Sequence, residues 1–80
     1  MFPKYKIEVY DHHEDCRTCY YAEKESELFE KLGFIMWNED NEILFVYSYE
    51  MDENRVKRGF LKWDMSKSRF YIEWETVWQA

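Results

Sequence analysis

Three runs, ILFVYSYE from Ile43, VKRGFLKW from Val56 and RFYIEWETVW from Arg69, combine aromatic and β-branched residues with polar, turn-forming clusters between them. This pattern predicts three antiparallel strands around which the remainder must be arranged. Register matters here, because a one-residue slip sends every side chain of a strand to the opposite face. On the last run Phe70, Ile72, Trp74 and Trp78 alternate with Arg69, Tyr71, Glu73 and Glu75. The apolar set is expected to face the core.

Matching the neighbouring run to that face predicts Leu61 opposite Phe70, Trp63 opposite Ser68 and Arg58 opposite Glu73, the last a favourable cross-strand pair. A turn over Met51 to Arg55 then sets Phe45 opposite Leu61 and Tyr47 opposite Gly59, where a ring would cover bare backbone. The expected core side holds Ile43, Phe45, Tyr47, Leu61, Trp63, Phe70, Ile72 and Trp74. The reverse side holds Leu44, Val46, Phe60 and Tyr71, with Phe60 opposite Tyr71, beside Ser48, Arg58, Lys62, Arg69 and Glu73.

Upstream, Tyr5, Ile7 and Val9 alternate with Lys6, Glu8 and Tyr10, which reads as a half-buried first strand. Asp11 to Thr18 reads as a polar loop. Tyr21, Ala22, Leu28, Phe29 and Leu32 fall at helical spacing, with Glu23, Glu25 and Glu27 early, Lys31 late and Gly33 at the expected cap. Phe34 to Trp37 reads as a short strand and Asn38 to Asn41 as a turn. The expected fold is α+β: an antiparallel sheet of four to five strands with one helix packed on one face, in the order β-α-β-β-β-β.

Eighty residues make one small domain, 1–80, near the size at which a single core only just outweighs chain entropy. Aromatic residues are 21% of the chain, so large rings compensate for its shortness. Charge is bipolar. Residues 1–54 carry five Lys or Arg against fourteen Asp or Glu, whereas residues 55–69 carry six against one, within a net charge of −6. That balance argues against general affinity for nucleic acid or anionic membrane. The absence of a signal-like run or a membrane span, and two cysteines too few for a disulfide framework, lead to a cytoplasmic protein as the expectation.

The segment from Asp11 to Cys19 gathers His12, His13, Cys16 and Cys19, and three readings compete for it. Zinc could be held there, although a structural site needs four ligands and no second ligand pair is present. The segment from Ile7 to Gly33 also resembles the opening of a glutaredoxin or thioredoxin, with a strand, CxxC, an alanine three residues on and a helix. That resemblance implies Cys16 as a nucleophilic thiolate at a helix N-terminus. It covers about a third of the chain, and the proline loop that faces the disulfide in that family is missing, since no proline follows Gly33. The third reading makes Cys19 a small buried residue and the rest a solvated loop. No catalytic constellation is recognisable, so the chain is expected not to be an enzyme and to have no resident cofactor.

The favoured expectation is a protein-binding module that docks on a protein partner, or on a second copy of itself, through Leu44, Val46, Phe60 and Tyr71, rimmed by Arg58, Lys62 and Arg69. By composition alone, small acidic aromatic-rich domains of this kind occur among phage and mobile-element accessory proteins that inhibit a host factor. A further alternative is single-stranded nucleic-acid binding by the basic hairpin 55–69, whose rings would stack on bases. Its Arg58-Gly59-Phe60 matches only the first three positions of the RNA-recognition sheet motif.

Overall fold

The computed structural model describes residues 3–80. Strands β1 (Tyr5–Asp11) and β2 (Cys16–Ala22) are followed by helix α1 (Glu25–Trp37) and strands β3 (Asn41–Glu50), β4 (Arg55–Asp64) and β5 (Arg69–Gln79). The five strands form one antiparallel sheet in the spatial order β2-β1-β3-β4-β5. The architecture is α+β, as expected. The element order is not: a strand rather than the helix follows β1.

The reason lies in the hairpin chemistry of the segment read as a loop. The Asp11 carboxylate accepts hydrogen bonds from the backbone N–H groups of His13 at 2.9 Å and Glu14 at 3.2 Å, and Asp15 takes a left-handed conformation with φ 53°. Aspartate favours such side-chain-closed turns and tolerates that backbone region. The chain therefore reverses within four residues, and CRTCYYA runs back along β1 with Cys16 opposite Asp11 and Ala22 opposite Tyr5.

Helix α1 starts later and ends later than its glycine implies. Leu28, Leu32 and Ile35, spaced i, i+4, i+7, are buried, and burial of that stripe outweighs the modest cost of Gly33 inside a helix. Phe34 to Trp37 is the final helical turn, not a strand. The end is set by asparagines. Asn38 donates its backbone N–H to the Ile35 carbonyl at 3.3 Å, and the Asn41 side-chain amide donates to the same oxygen at 3.1 Å. These satisfy a carbonyl that the helix end leaves free.

The core joins Tyr5, Ile7 and Val9 of β1, Ala22 of β2, Val46 of β3 and the three buried helix residues. Val46 stands opposite both Ile7 and Gly59 and is 2% exposed. From Phe45 onward strand β3 is thus one residue out of the expected phase, with Phe45 and Tyr47 on the side away from the helix, whereas Ile43, before the irregularity at Leu44, packs against the core as expected. The cause is the β3–β4 connection. Glu50 pairs with Arg55 around a four-residue loop in which a short 3-10 turn, Met51–Glu53, is closed by Asn54 at φ 49°. The expected five-residue turn would have given the other phase.

On β4 and β5 the register is displaced by two residues, with Leu61 opposite Ile72, Trp63 opposite Phe70 and Arg58 opposite Glu75. A slip of two preserves the faces. Leu61, Trp63, Phe70, Ile72 and Trp74 therefore share the helix side, as expected; Trp78 does not, because the irregularity at Val77 sets it opposite Val56 on the outer side.

Candidate protein-docking face

Helix α1 lies over only part of its side of the sheet. Its first stripe is buried against β1, β2 and β3. A second stripe, Phe29, Gly33 and Met36 with the adjoining Trp37, lines an apolar groove of about 280 Å³ whose other wall is Leu61 and Phe70. Beyond that groove the helix side of the β4–β5 hairpin is open. Trp63 is 50% exposed, Phe70 41% and Trp74 36%, and at the end of the helix Trp37 is 89% exposed. Trp63 and Phe70, opposite each other in register, meet edge to face with ring centroids 4.7 Å apart. Trp74 is braced by Tyr5 at 5.9 Å. The rings are consequently held in place while one side of each faces solvent, the arrangement that rigid anchors of protein interfaces use.

The expected quartet is not assembled. Val46 is beneath the helix, and Leu44 falls at the irregularity in β3, where Ile43 and Phe45 pair with β1 and Leu44 is passed over. Phe60 and Tyr71 are exposed on the outer side but diagonal to one another, Phe60 facing Glu73 and Lys62 facing Tyr71. Arg58 is no rim charge. Its guanidinium lies over the Phe45 ring at 4.6 Å and the Phe60 ring at 5.0 Å. Lys62 is 3.9 Å from Glu73, and Arg69 stands opposite Asp64 at the mouth of the hairpin.

The outer side carries a row that the expected phase of β3 concealed. Phe45, Tyr47 and Tyr49 follow one another along the strand, with centroid separations of 5.8 and 6.3 Å. At its end Tyr49, Tyr21, Lys6, Pro3 and Met51 line a shallow pocket of about 370 Å³. Burial raises the Tyr49 phenol, and the neighbouring Lys6 opposes that shift. The Lys6 ammonium is itself raised, chiefly by its hydrogen bond to Glu8.

Among the cations of the basic hairpin, Arg55 bonds Glu50 and Glu53, and Lys57 is 3.2 Å from Glu50. Arginine at 55 holds the Glu50 carboxyl below its ordinary range, with Lys57 acting in the same direction.

The Cys/His segment is spread out. Cys16 opposes Asp11 and Cys19 opposes Glu8, so strand alternation directs the two thiols to opposite faces of β2. Both are free and exposed. His12 Nε2 lies 2.9 Å from Glu42, and His13 Nε2 lies 3.9 Å from Glu14. Among the described residues no group of three or more His, Cys, Asp or Glu is arranged to hold a metal ion. Helix α1 begins at Glu25, beyond the whole of β2, so Cys16 is not at a helix N-terminus.

No helix among the described residues is long and apolar enough to cross a membrane. No protein-family model matches the chain, and no curated protein or solved structure matches it.

Proposed function

We propose that the chain is a non-enzymatic protein-binding module whose docking face is the uncovered half of the helix side: Met36 and Trp37 of α1 with Trp63, Phe70 and Trp74 of the β4–β5 hairpin. The single observation that carries the reading is the solvent exposure of Trp63 and Phe70 beside an apolar groove, on the side of the sheet that elsewhere forms the core. Contiguous apolar surface of this kind on a small protein marks association sites, and aromatic rings supply most of the binding energy at such interfaces. The acid-paired state of Arg55, Lys57 and Lys62 favours this reading over single-stranded nucleic acid on the basic hairpin, because cations neutralised by neighbouring carboxylates contribute less to phosphate binding.

The test is a comparison of proteins retained from a lysate by the unchanged chain, by Trp63→Glu with Phe70→Glu, and by Phe60→Glu on the opposite side, with circular dichroism as the check on folding. A partner held by the unchanged chain and by Phe60→Glu, and lost by the double variant, supports the reading. Identical retention by all three refutes it.

A further inference from the structure

We infer that β5 is a self-association edge: two copies of the chain pair β5 to β5, antiparallel about a two-fold axis at Ile72, and form one continuous ten-stranded sheet. This pairing rests on the free backbone edge of β5 and not on the docking reading above, although Phe70 and Trp74 take part in both.

Strand β5 is outermost in the sheet, eleven residues long, and exposed at every position except Ile72. One side of its backbone ladder is therefore unpaired by any other strand among the described residues. Long edges of this sort template pairing with another chain, and monomeric proteins blunt them with lysine, proline or short length. From Phe70 to Gln79 β5 has no lysine or proline, carries only Glu73 and Glu75 as charges and is irregular only near Val77, and it is rich in Phe, Tyr, Ile, Val and Trp. The opposite edge, β2, is seven residues long and carries Arg17 within it.

A two-fold perpendicular to the sheet requires some residue of β5 to stand opposite itself, and charge selects which one. An axis at Trp74 sets Glu73 opposite Glu75 twice, and axes at Glu73 or Glu75 set like carboxylates against each other. Such pairs are destabilising. An axis at Thr76 or beyond runs the ladder through the irregularity near Val77, where β5 departs from even pairing with β4. An axis at Tyr71 avoids both but pairs only the five residues 69–73 of the strand, whereas an axis at Ile72 avoids both and pairs the seven residues 69–75. It matches Arg69 with Glu75 on the outer side at both ends of a seven-residue ladder, and Tyr71 with Glu73 between them.

On the helix side it brings Phe70 against Trp74 of the second copy and Ile72 against Ile72. The two open half-faces then merge into a single apolar floor, flanked by a helix on either side. The arrangement is isologous and closes at two chains.

Solution mass by light scattering, followed across concentration, is expected to be twice the 10.1 kDa of one chain. Register is read by disulfide trapping in a Cys16→Ser, Cys19→Ser background. Opposed residues of an antiparallel pair lie about 4.5–5.5 Å apart at Cα, within disulfide reach. A mixture of Tyr71→Cys and Glu73→Cys chains is expected to cross-link between the two species at least several-fold faster than a mixture of Glu73→Cys and Glu75→Cys. A mass of one chain at all concentrations overturns the inference. A double mass with the second mixture cross-linking faster, or with neither cross-linking, overturns the Ile72 pairing. Identical partner capture by the unchanged chain, by Trp63→Glu with Phe70→Glu and by Phe60→Glu, with the double mass of the unchanged chain intact, would refute the docking reading and leave this one standing.

Discussion

Gly59 stands opposite Trp74 in the β4–β5 ladder, and a Cβ built on the glycine would lie 2.9 Å from the indole Cζ3 and 2.6 Å from Cγ2 of Ile72. The indole rests where a side chain would otherwise be, between the hairpin and Tyr5. Glycine is favoured at 59 by this close approach and not by backbone conformation, since its φ is not positive. Gly59→Ala is expected to cost about 1–3 kcal/mol through overpacking against a stiff β-branched side chain and a ring. Urea denaturation measures it, and an unchanged midpoint at unchanged m would show that the ring can move aside freely.

A comparison of two valines tests the phase of β3 and β4. Val46 is enclosed by the helix and β1, whereas Val56 opposes Tyr49 on the outer side and is only partly covered. Val→Thr keeps the shape and adds a hydroxyl, which costs about 1–3 kcal/mol where it is buried without a partner. Val46→Thr is expected to show that loss, and Val56→Thr a clearly smaller one. Equal losses by equilibrium denaturation would contradict the observed phase.

Strands β5 and β3 show where sequence periodicity suffices and where it does not. On β5 Phe70, Ile72 and Trp74 occupy one alternating set and Arg69, Glu73 and Glu75 the other, so its helix side was legible as far as Trp74, and a two-residue error in pairing left that intact; the irregularity at Val77, which turns Trp78 outward, was not legible. Strand β3 offers no such contrast, because Ile43, Phe45 and Tyr47 compete with Leu44 and Val46. Its side is decided by the left-handed Asn54 in the following turn, a backbone property that alternation does not encode. The proposed docking face is hidden from sequence periodicity for a similar reason. Met36 and Trp37 join it only because α1 continues through Gly33, and that continuation depends on the burial of Ile35.

Arg58 spans two rings, those of Phe45 on the adjacent strand and Phe60 two residues along its own. A planar guanidinium can stack on both, which a lysine ammonium cannot reproduce. A double-mutant cycle over Arg58→Met and Phe45→Leu is expected to give a coupling of about 0.5–1 kcal/mol. Arg58→Lys should lose much of it. A coupling of zero would reduce the stack to incidental proximity.

Acid sensitivity provides the last test. The Glu50 carboxyl is held low chiefly by its hydrogen bond from Arg55, with desolvation opposing and Lys57 assisting. Asp64 is held low chiefly by the Ser66 hydroxyl, with desolvation opposing and the Lys67 and Ser66 backbone N–H groups assisting. A carboxyl lowered on folding adds stability above its unfolded value, and that stability is lost as pH falls through the folded value. For these residues the loss begins near the ordinary values of 4.5 for Glu50 and 3.8 for Asp64 and continues below them. Above that window both contributions are complete. Denaturation midpoints measured from pH 7 down to about pH 2 are therefore expected to fall less steeply below pH 4.5 for Glu50→Gln than for the unchanged chain. Asp64→Asn should flatten the curve at the lower end, since an amide can still accept the hydrogen bonds of the turn but has no charge to lose as pH falls. Parallel curves for all three proteins would mean that neither carboxylate is more strongly held in the fold than in the unfolded chain.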